Sequence, residues 1–218
     1  MSAPLRLHGL YAITSDALCV DPARLLACVS AALRGGAALI QYRDKQGTPA
    51  QRAANARALA ELCHEAGAKL IVNDDVALAL GCGADGVHLG AADAPLSQAR
   101  AALGPRAILG ASCGPVLARA HAAVAGGADY VAFGRFFDSR TKPQAPPATV
   151  ELMVEARRRL QVPICAIGGV TPANAGTLLE AGADLIAAVD GVFGCGEPAA
   201  VEAAARSYAA LFTRPPGH

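Results

Sequence analysis

The stretch Gly126-Gly127-Ala128-Asp129-Tyr130-Val131-Ala132-Phe133 joins the end of a helical pattern to a short apolar run. A glycine directly after a helix adopts the left-handed conformation without a Cβ clash, so it favours a helix end. Four apolar residues after a turn signal are typical of a buried strand. Related junctions recur at residues 35–37, 67–68, 83–85 and 182–184, and each lies between a helical pattern and an apolar run.

Outward from these junctions, the chain alternates short apolar runs with longer Ala/Leu/Arg stretches of helical spacing. This alternation predicts repeated βα units and a parallel sheet. The predicted strands are 7–14, 38–43, 69–73, 86–89, 107–110, 130–133, 163–167 and 184–189. The predicted helices are 22–33, 48–66, 75–80, 95–103, 115–125, 150–160, 172–180 and 198–211, with Pro22, Pro95, Pro115, Pro172 and Pro198 in first turns.

Eight such units without a long linker predict one α/β domain over residues 1–218, a closed (β/α)8 TIM barrel. An open doubly wound sheet is the alternative. In a barrel, the active site lies on the loops at the C-terminal face of the strands, so the residues at each strand end are the candidates for chemistry.

The composition and net charge indicate which class of partner the protein binds. The formal net charge is +1 and no run of Lys or Arg occurs, so neither nucleic acid nor an anionic membrane is the expected partner. Small-molecule substrates are expected, and a homo-oligomer is left open. No leader-like segment is visible at the N-terminus, which predicts a cytoplasmic protein. The seven cysteines stand singly and form no C-x-x-C pair, so no disulfide framework or zinc site is predicted.

The second predicted strand ends in Gln41-Tyr42-Arg43-Asp44-Lys45. Alternation along a strand sends Gln41, Arg43 and Lys45 to the same side. Guanidinium and ammonium groups are natural partners of phosphate oxygens. The alternative is a solvated charged turn in which Asp44 pairs with a neighbour.

The third and fourth predicted strands end in acidic groups. Asn73-Asp74-Asp75 follows one strand, and Asp93 follows the next. Carboxylates from neighbouring strand ends can share one Mg2+, which takes one or two carboxylates plus water and substrate phosphate. One of Asp74 and Asp75 is expected to be only a helix cap. His88 points into the barrel or its top layer, either as a satisfied core histidine or as a catalytic one.

The remaining strand ends suggest further anion sites. Ser112 lies in a small-residue loop before a helix and could help to hold an anion or could cap the helix. The polar loop 134–143 contains Phe136 and Phe137, which favours a lid or substrate loop over a plain surface loop. Gly168-Gly169 would let a ligand approach the backbone, and loops after strands seven and eight often bind phosphate. The sequence therefore predicts two phosphorylated substrates.

From near residue 10 to about residue 194, the chain resembles the thiamine phosphate synthase family. The resemblance depends on the order and placement of several motifs together. They are Leu10-Tyr11-Ala12-Ile13-Thr14, Gln41-x-Arg43-x-Lys45, Val72-Asn73-Asp74, Gly86-Val87-His88-Leu89-Gly90-x-x-Asp93, Gly110-x-Ser112, Ser139-x-Thr141-Lys142 and Ala166-Ile167-Gly168-Gly169.

The resemblance implies a role for each matching residue. Asp74 and Asp93 would hold Mg2+. The diphosphate of hydroxymethylpyrimidine diphosphate would be bound by Asn73 and by the catalytic residues Arg43, Lys45, Ser112 and Lys142, and Gln41 would position the pyrimidine. The thiazole phosphate would be held by Ser139, Thr141, Gly169 and the backbone of Val189 and Asp190. The family's reaction is a dissociative substitution in which diphosphate leaves and the thiazole nitrogen adds to the pyrimidine methylene cation.

Three departures from the family pattern stand out. Ala91-Ala92 precedes Asp93 where polar residues are common, Asp138 and Arg140 replace Pro and a small residue, and Asp190 replaces Ser. A carboxylate at residue 190 would repel phosphate unless it turned away or paired with a cation such as Arg140. A thiazole tautomerase of the same fold and a non-catalytic sensor of phosphorylated ligands are the alternatives.

Overall fold

The computed structural model describes residues 7–138, 144 and 146–213. Its eight parallel strands form a closed barrel in sequence order, and β1 pairs with both β2 and β8. The strands are β1 (Gly9–Ile13), β2 (Ala37–Tyr42), β3 (Lys69–Asn73), β4 (Gly86–Leu89), β5 (Ile108–Gly114), β6 (Tyr130–Phe133), β7 (Ile164–Ile167) and β8 (Leu185–Ala188). The predicted (β/α)8 barrel is confirmed, and the open sheet is excluded.

The helices surround this barrel. They are α1 (Asp16–Cys19), α2 (Pro22–Arg34), α3 (Pro49–Glu65), α4 (Val76–Cys82), α5 (Leu96–Leu103), α6 (Leu117–Ala125), α7 (Val150–Arg159), α8 (Gly176–Glu180), α9 (Asp190–Phe193) and α10 (Pro198–Ala209), followed by a 3-10 turn at Ala210–Phe212. In the described part of the chain, no helix has the length and apolar character needed to cross a membrane.

Several predicted helix starts are wrong. Pro22 and Pro198 occupy first turns, but Pro95 is the N-cap of α5. Pro115 and Pro172 precede α6 and α8, which begin at Leu117 and Gly176. At residue 172 a tight turn comes first, because the Asn174 side chain accepts a hydrogen bond from the Thr171 N–H at 2.7 Å. Proline initiates such turns as readily as it starts helices.

The glycine junctions are confirmed as left-handed. Gly36, Gly67, Gly83, Gly127 and Gly182 have φ angles of 96°, 70°, 74°, 97° and 107°. Each therefore adopts a conformation that a side chain disfavours, and each turns the chain from a helix into the next strand.

The aspartates that follow three of these glycines bridge neighbouring strands. The Asp129 carboxylate accepts from the Leu109 N–H at 2.7 Å, while its own N–H donates to the Leu109 carbonyl at 2.7 Å. Asp85 and Asp184 form the same pair of bonds, with Leu70 and Ile164. Each carboxylate also pairs with a basic side chain. These bridges fix the strand register at the N-terminal end of the barrel.

The buried side chains form two layers. One lies between the sheet and the helices, and the other fills the barrel interior. The interior layer includes Tyr11, Ile71, Tyr130 and Leu185. A Cβ at Gly110 would collide with the Tyr130 ring, so a glycine is required for this tyrosine to cross the interior. Above this layer, toward the C-terminal ends of the strands, the interior becomes polar.

Candidate active site

A cavity of about 470 Å³ opens at the C-terminal ends of the strands. Every strand contributes to its wall. Seven residues that the sequence singled out line it, namely Gln41, Arg43, Asn73, Ser112, Gly169, Val189 and Asp190. These seven residues, which are distant in sequence, therefore share one cavity, whereas Lys45, Asp74 and Asp93 are not among the residues that line it.

Arg43 is held in place by a helix that the sequence did not predict. Its guanidinium donates to the Asp16 carboxylate at 3.1 Å, and the Lys45 N–H donates to the same carboxylate at 2.7 Å. Asp16 is the first residue of α1, which Ser15 caps by accepting from the Leu18 N–H. The Arg43 side chain is only 18% exposed, so the reading as a solvated turn does not hold for Arg43, whereas the Lys45 side chain is 55% exposed.

Asp44 is turned away from these cations and shapes their loop. It is buried, and it accepts from the Tyr42 hydroxyl at 3.1 Å and from the N–H groups of Gln46 and Gly47 at 3.0 and 2.8 Å. Part of the alternative reading is therefore right, because Asp44 does pair with neighbours. Its bonds stabilise the turn after Arg43, whose side chain remains on the cavity wall.

Of the two adjacent aspartates, Asp75 is the helix cap. It accepts from the Leu78 N–H at 2.9 Å and pairs with Arg52 at 3.1 Å. Asp74 instead has a left-handed backbone, with φ of 63°, and its carboxylate lies 3.1 Å from the Lys45 ammonium. The prediction that one of the pair is only a cap is confirmed, and Asp74 is the one that contacts Lys45.

Asp74 and Asp93 form a carboxylate pair. The Asp93 carboxylate accepts from the Gly90 N–H at 2.6 Å and interacts with that of Asp74. Burial alone would raise the pKa of Asp74, but the contact with Asp93 and the Lys45 ammonium hold it below its ordinary value. Burial and the Asp74 charge raise the pKa of Asp93 despite the Gly90 bond. The pair therefore behaves as two carboxylates competing for one proton.

This pair fits a hard divalent cation. Within residues 7–138, 144 and 146–213, no group of three or more His, Cys, Asp or Glu side chains is placed to hold a metal ion. Two carboxylates suit Mg2+, which keeps waters and takes substrate oxygens as its other ligands. They do not resemble the closed four-ligand cages of structural zinc.

A chain of polar groups crosses the floor of the cavity. The Gln41 amide donates to the Tyr11 hydroxyl at 2.7 Å, and the hydroxyls of Tyr11 and Tyr130 lie 2.8 Å apart. His88 Nδ1 lies 2.8 Å from the Tyr130 hydroxyl, and its Nε2 lies 2.8 Å from Ser112 Oγ. His88 is thus both a buried, hydrogen-bonded residue and part of the cavity wall. Sequence reasoning missed the two tyrosines, although a buried tyrosine hydroxyl usually signals a partner.

Ser112 occupies a strand, which corrects the prediction of a loop and of a helix cap. β5 continues to Gly114, and α6 has Val116 as its N-cap with no side-chain cap bond. The N-terminus of α6 is therefore separate from Ser112. The hydroxyl reaches the cavity because Ser112 is exposed on the wall of the barrel.

The loop after β6 packs tightly against the two glycines after β7. The N–H groups of Phe136 and Phe137 donate to the carbonyls of Ile167 and Gly168 at 3.2 and 2.9 Å. A Cβ at Gly169 would collide with the Asp138 carbonyl and with Phe137. Gly169 lines the cavity as expected, but its lack of a side chain also makes room for this loop. Phe136 and Phe137 pack against the core, as predicted for an anchored loop.

Arg135 is a cavity residue that the sequence did not single out. It lines the wall beside Gly168 and Gly169, and its guanidinium pairs with the Asp138 carboxylate at 3.0 Å. The predicted site residues Ser139, Thr141 and Lys142, and also Arg140, lie outside the described residues.

Asp190 is exposed at the cavity wall as the first residue of α9. Within the described residues it forms no ion pair. The unusual carboxylate noted in the sequence therefore stays on the wall of the site.

A closed parallel barrel with arginines on its cavity wall and a carboxylate pair at the ends of neighbouring strands is typical of a (β/α)8-barrel enzyme that binds phosphorylated small molecules. The family model described as "Thiamine monophosphate synthase" matches residues 10–192, and the chain belongs to this family. It is accordingly a transferase of thiamine biosynthesis.

Relatives of known sequence and structure agree with this assignment. A thiamine-phosphate synthase of Thioalkalivibrio sulfidiphilus is 53% identical, with 95% of this chain and 96% of that protein covered. One from Alcanivorax borkumensis is 50% identical, with 95% of each covered. The solved thiamine phosphate pyrophosphorylase from Pyrococcus furiosus has a TM-score of 0.83 at 32% identity, covering 94% of this chain and 95% of that one.

The substitution Gly169→Ala tests how tightly the β6 loop and the β7 glycines pack. Gly169 and Gly67 have nearly the same φ, 66° and 70°, but a Cβ at Gly67 would meet no atom within 4 Å. Gly67→Ala is therefore the matched control and should cost about 1 kcal/mol for the backbone conformation alone. Gly169→Ala should cost about 2 kcal/mol more, because it adds overpacking. Urea unfolding of both variants measures the difference in the free energy of unfolding. Equal losses of stability would show that the β6 loop shifts to accommodate the added methyl group without cost.

Proposed function

We propose that this protein joins 4-amino-5-hydroxymethyl-2-methylpyrimidine diphosphate to hydroxyethylthiazole phosphate, releasing diphosphate and forming thiamine phosphate. The observation that carries the proposal is the contact of Asp74, which directly follows the cavity residue Asn73, with both Lys45 and Asp93. Arg43 and Ser112 line the same cavity. Such a group suits a leaving diphosphate better than it suits any other step, since charge develops there as the bond breaks.

The diphosphate would occupy the side of the cavity formed by β2 to β5. Arg43, Asn73 and Ser112 line this side, and Lys45 stands beside it. Arg43 would bind phosphate oxygens with its planar fork and Lys45 as a point charge. Asn73 and Ser112 would add neutral donors. Lys142, which lies outside the described residues, is proposed as a further cation on the basis of the family resemblance.

Asp74 and Asp93 would hold Mg2+ between the protein and the diphosphate. The bound ion would neutralise the charge that develops on the leaving group. The carboxylate pair would gain from this cation as well, because its mutual repulsion would be relieved. Lys45 already contacts Asp74 and would lie close to both the carboxylate and the diphosphate.

The pyrimidine would lie over the floor of the cavity. Gln41 is held there by its bond to Tyr11, so its amide has a fixed direction for an aminopyrimidine. The reaction needs no protein nucleophile, because the aminopyrimidine itself stabilises the methylene cation once diphosphate departs. The chain's own residues would bind and orient the two substrates and exclude water.

The thiazole phosphate would occupy the opposite side, near Gly169, Val189 and Asp190. Ser139 and Thr141 are proposed as further ligands from the resemblance. Arg135 lies on this wall and adds a cation that the sequence did not suggest. The small-molecule substrates are the proposed partners, and a thiazole tautomerase would have no use for the carboxylate pair on the other side.

The direct test is to incubate the purified protein with both substrates and Mg2+ and to quantify thiamine phosphate and diphosphate by mass spectrometry. We expect the two products in equal amounts, with formation abolished by EDTA and restored by Mg2+. Substrates that bind without forming product would favour the sensor. Isomerisation of the thiazole carboxylate without condensation would favour the tautomerase.

The substitution Asp93→Asn tests the metal site. It removes the charge from one member of the pair at nearly constant shape, so turnover should fall by roughly 100-fold and require more Mg2+ for half-maximal rate. Asp75→Asn is the matched control, because Asp75 is a neighbouring carboxylate that only caps α4 and pairs with Arg52. Asparagine caps a helix about as well, so the Mg2+ response of this variant should be unchanged. Equal Mg2+ responses in the two variants would contradict the assignment.

The substitution Asp190→Ser tests the thiazole phosphate side. Removing an exposed carboxylate from this wall should lower the KM for the thiazole phosphate by roughly fivefold, since like-charge repulsion across partly solvated space is worth about 1 kcal/mol. The corresponding thiazole alcohol, which lacks the phosphate, is the control ligand, and its affinity should not change. A KM unaffected by the substitution would place the phosphate away from Asp190.

A further inference from the structure

The hydrogen bonds along the polar chain on the cavity floor all donate in the same direction. Four hydrogen bonds link Gln41, Tyr11, Tyr130, His88 and Ser112 in that order, at 2.7, 2.8, 2.8 and 2.8 Å. Each hydroxyl has one hydrogen to donate, whereas an amide NH2 can only donate. The group at the start of the chain therefore decides which atom donates in every later bond.

The Gln41 amide nitrogen donates to the Tyr11 oxygen. The single Tyr11 hydrogen must then be directed at its other neighbour, the Tyr130 oxygen, because an unpaired buried hydroxyl is costly. By the same argument, Tyr130 donates to His88 Nδ1. A nitrogen that accepts carries no hydrogen, so the ring hydrogen of neutral His88 resides on Nε2 and is donated to Ser112.

Both tyrosines keep their hydrogens in this environment. They are fully buried at 1% and 0% exposure, and burial raises the pKa of each well above its ordinary value. Both hydroxyls can therefore donate, and the direction of the hydrogen bonds is set by geometry at the Gln41 end.

We propose that Tyr11 and Tyr130 are positioning residues that lock His88 as the Nε2–H tautomer, so that the Ser112 hydroxyl hydrogen is directed into the cavity toward an anion. The His88 N–H uses one lone pair of the Ser112 oxygen, and the Ser112 hydrogen is left to donate elsewhere. That the anion is a diphosphate rests on the proposed function.

This assignment distinguishes the role of His88 from that of a general base. A histidine nitrogen 2.8 Å from a serine oxygen is also the geometry of a general base that activates a nucleophile. A ring whose Nε2 donates to the serine cannot accept its proton. Ser112 is therefore an anion ligand in this site, and His88 is the group that orients it.

The tautomer can be read directly by 15N NMR of the His88 imidazole in the full-length protein. We expect a protonated Nε2 and an unprotonated Nδ1. In Tyr130→Phe the donor to Nδ1 is lost, so a mixture of both tautomers is expected. Tyr208→Phe is the matched control, because Tyr208 is also a buried tyrosine. Its hydroxyl donates to the Val170 carbonyl at 2.8 Å and takes no part in the hydrogen bonds that lead to His88. It should leave the His88 spectrum unchanged.

A double-mutant cycle with magnesium pyrophosphate as the ligand tests the consequence for Ser112. Ser112→Ala should weaken binding by roughly tenfold, as expected for a lost hydrogen bond to a charged group. Tyr130→Phe should weaken binding several-fold alone but have no further effect in the Ser112→Ala background, because it acts through that hydroxyl. Tyr208→Phe should show no such coupling with Ser112→Ala.

Two results would overturn the proposal. One is a wild-type His88 protonated at Nδ1. Ser112 would then donate to the histidine, and every hydrogen bond in the series would have the opposite donor. The other is additive effects of Tyr130→Phe and Ser112→Ala, which would reduce Tyr130 to a packing residue. Failure of pyrophosphate to bind the wild-type protein would count against the proposed function instead, and the NMR spectrum would still decide the direction of the chain.

Discussion

Parallel closure of the eight strands is the constraint on which the site depends. Because all strands run in one direction, their C-terminal ends meet at one rim, and residues far apart in sequence come into contact there. The same closure brings distant residues together inside the barrel, where the hydroxyls of Tyr11 and Tyr130, 119 residues apart, lie 2.8 Å from each other. At the opposite end, Asp85, Asp129 and Asp184 tie neighbouring strands together. Register is thus fixed at one end, which leaves the other end free to carry polar side chains.

The barrel could be predicted because each βα unit carries its own local signals. Glycines with left-handed backbones mark the turn into a strand, and β3, β4 and β6 have the predicted bounds. The short helices α1 and α9 could not be found, because one turn of helix is too short to show a periodic pattern. Asp16 of α1 pairs with the cavity residue Arg43, and Asp190 of α9 lies on the cavity wall, so the missed elements bear directly on the site.

The residues at strand ends were predictable, whereas those that support them were not. Alternation placed Gln41 and Arg43 on the cavity side, but nothing local indicates that Asp16 would bind Arg43. Tyr11 and Tyr130 lie within apolar strands, and their partners come from across the barrel. The division of roles between Asp74 and Asp75 depends on the left-handed backbone of Asp74, which is an unusual conformation for a residue with a side chain. Such contacts depend on the closed structure.

The charges on the β2-to-β5 side of the cavity support the proposal that the site binds a divalent cation. Among the described residues there, Arg43 is paired with Asp16 and Lys45 with Asp74, while Asp93 adds a third carboxylate. Two cations therefore face three acidic groups, and this arrangement has no surplus positive charge to offer a diphosphate. A proton shared by Asp74 and Asp93 would only bring the net charge of this group of side chains to zero. A divalent ion bound by the pair would reverse its sign, which frees Arg43 and Lys45 to turn their donors to phosphate oxygens and makes substrate binding and metal binding mutually dependent.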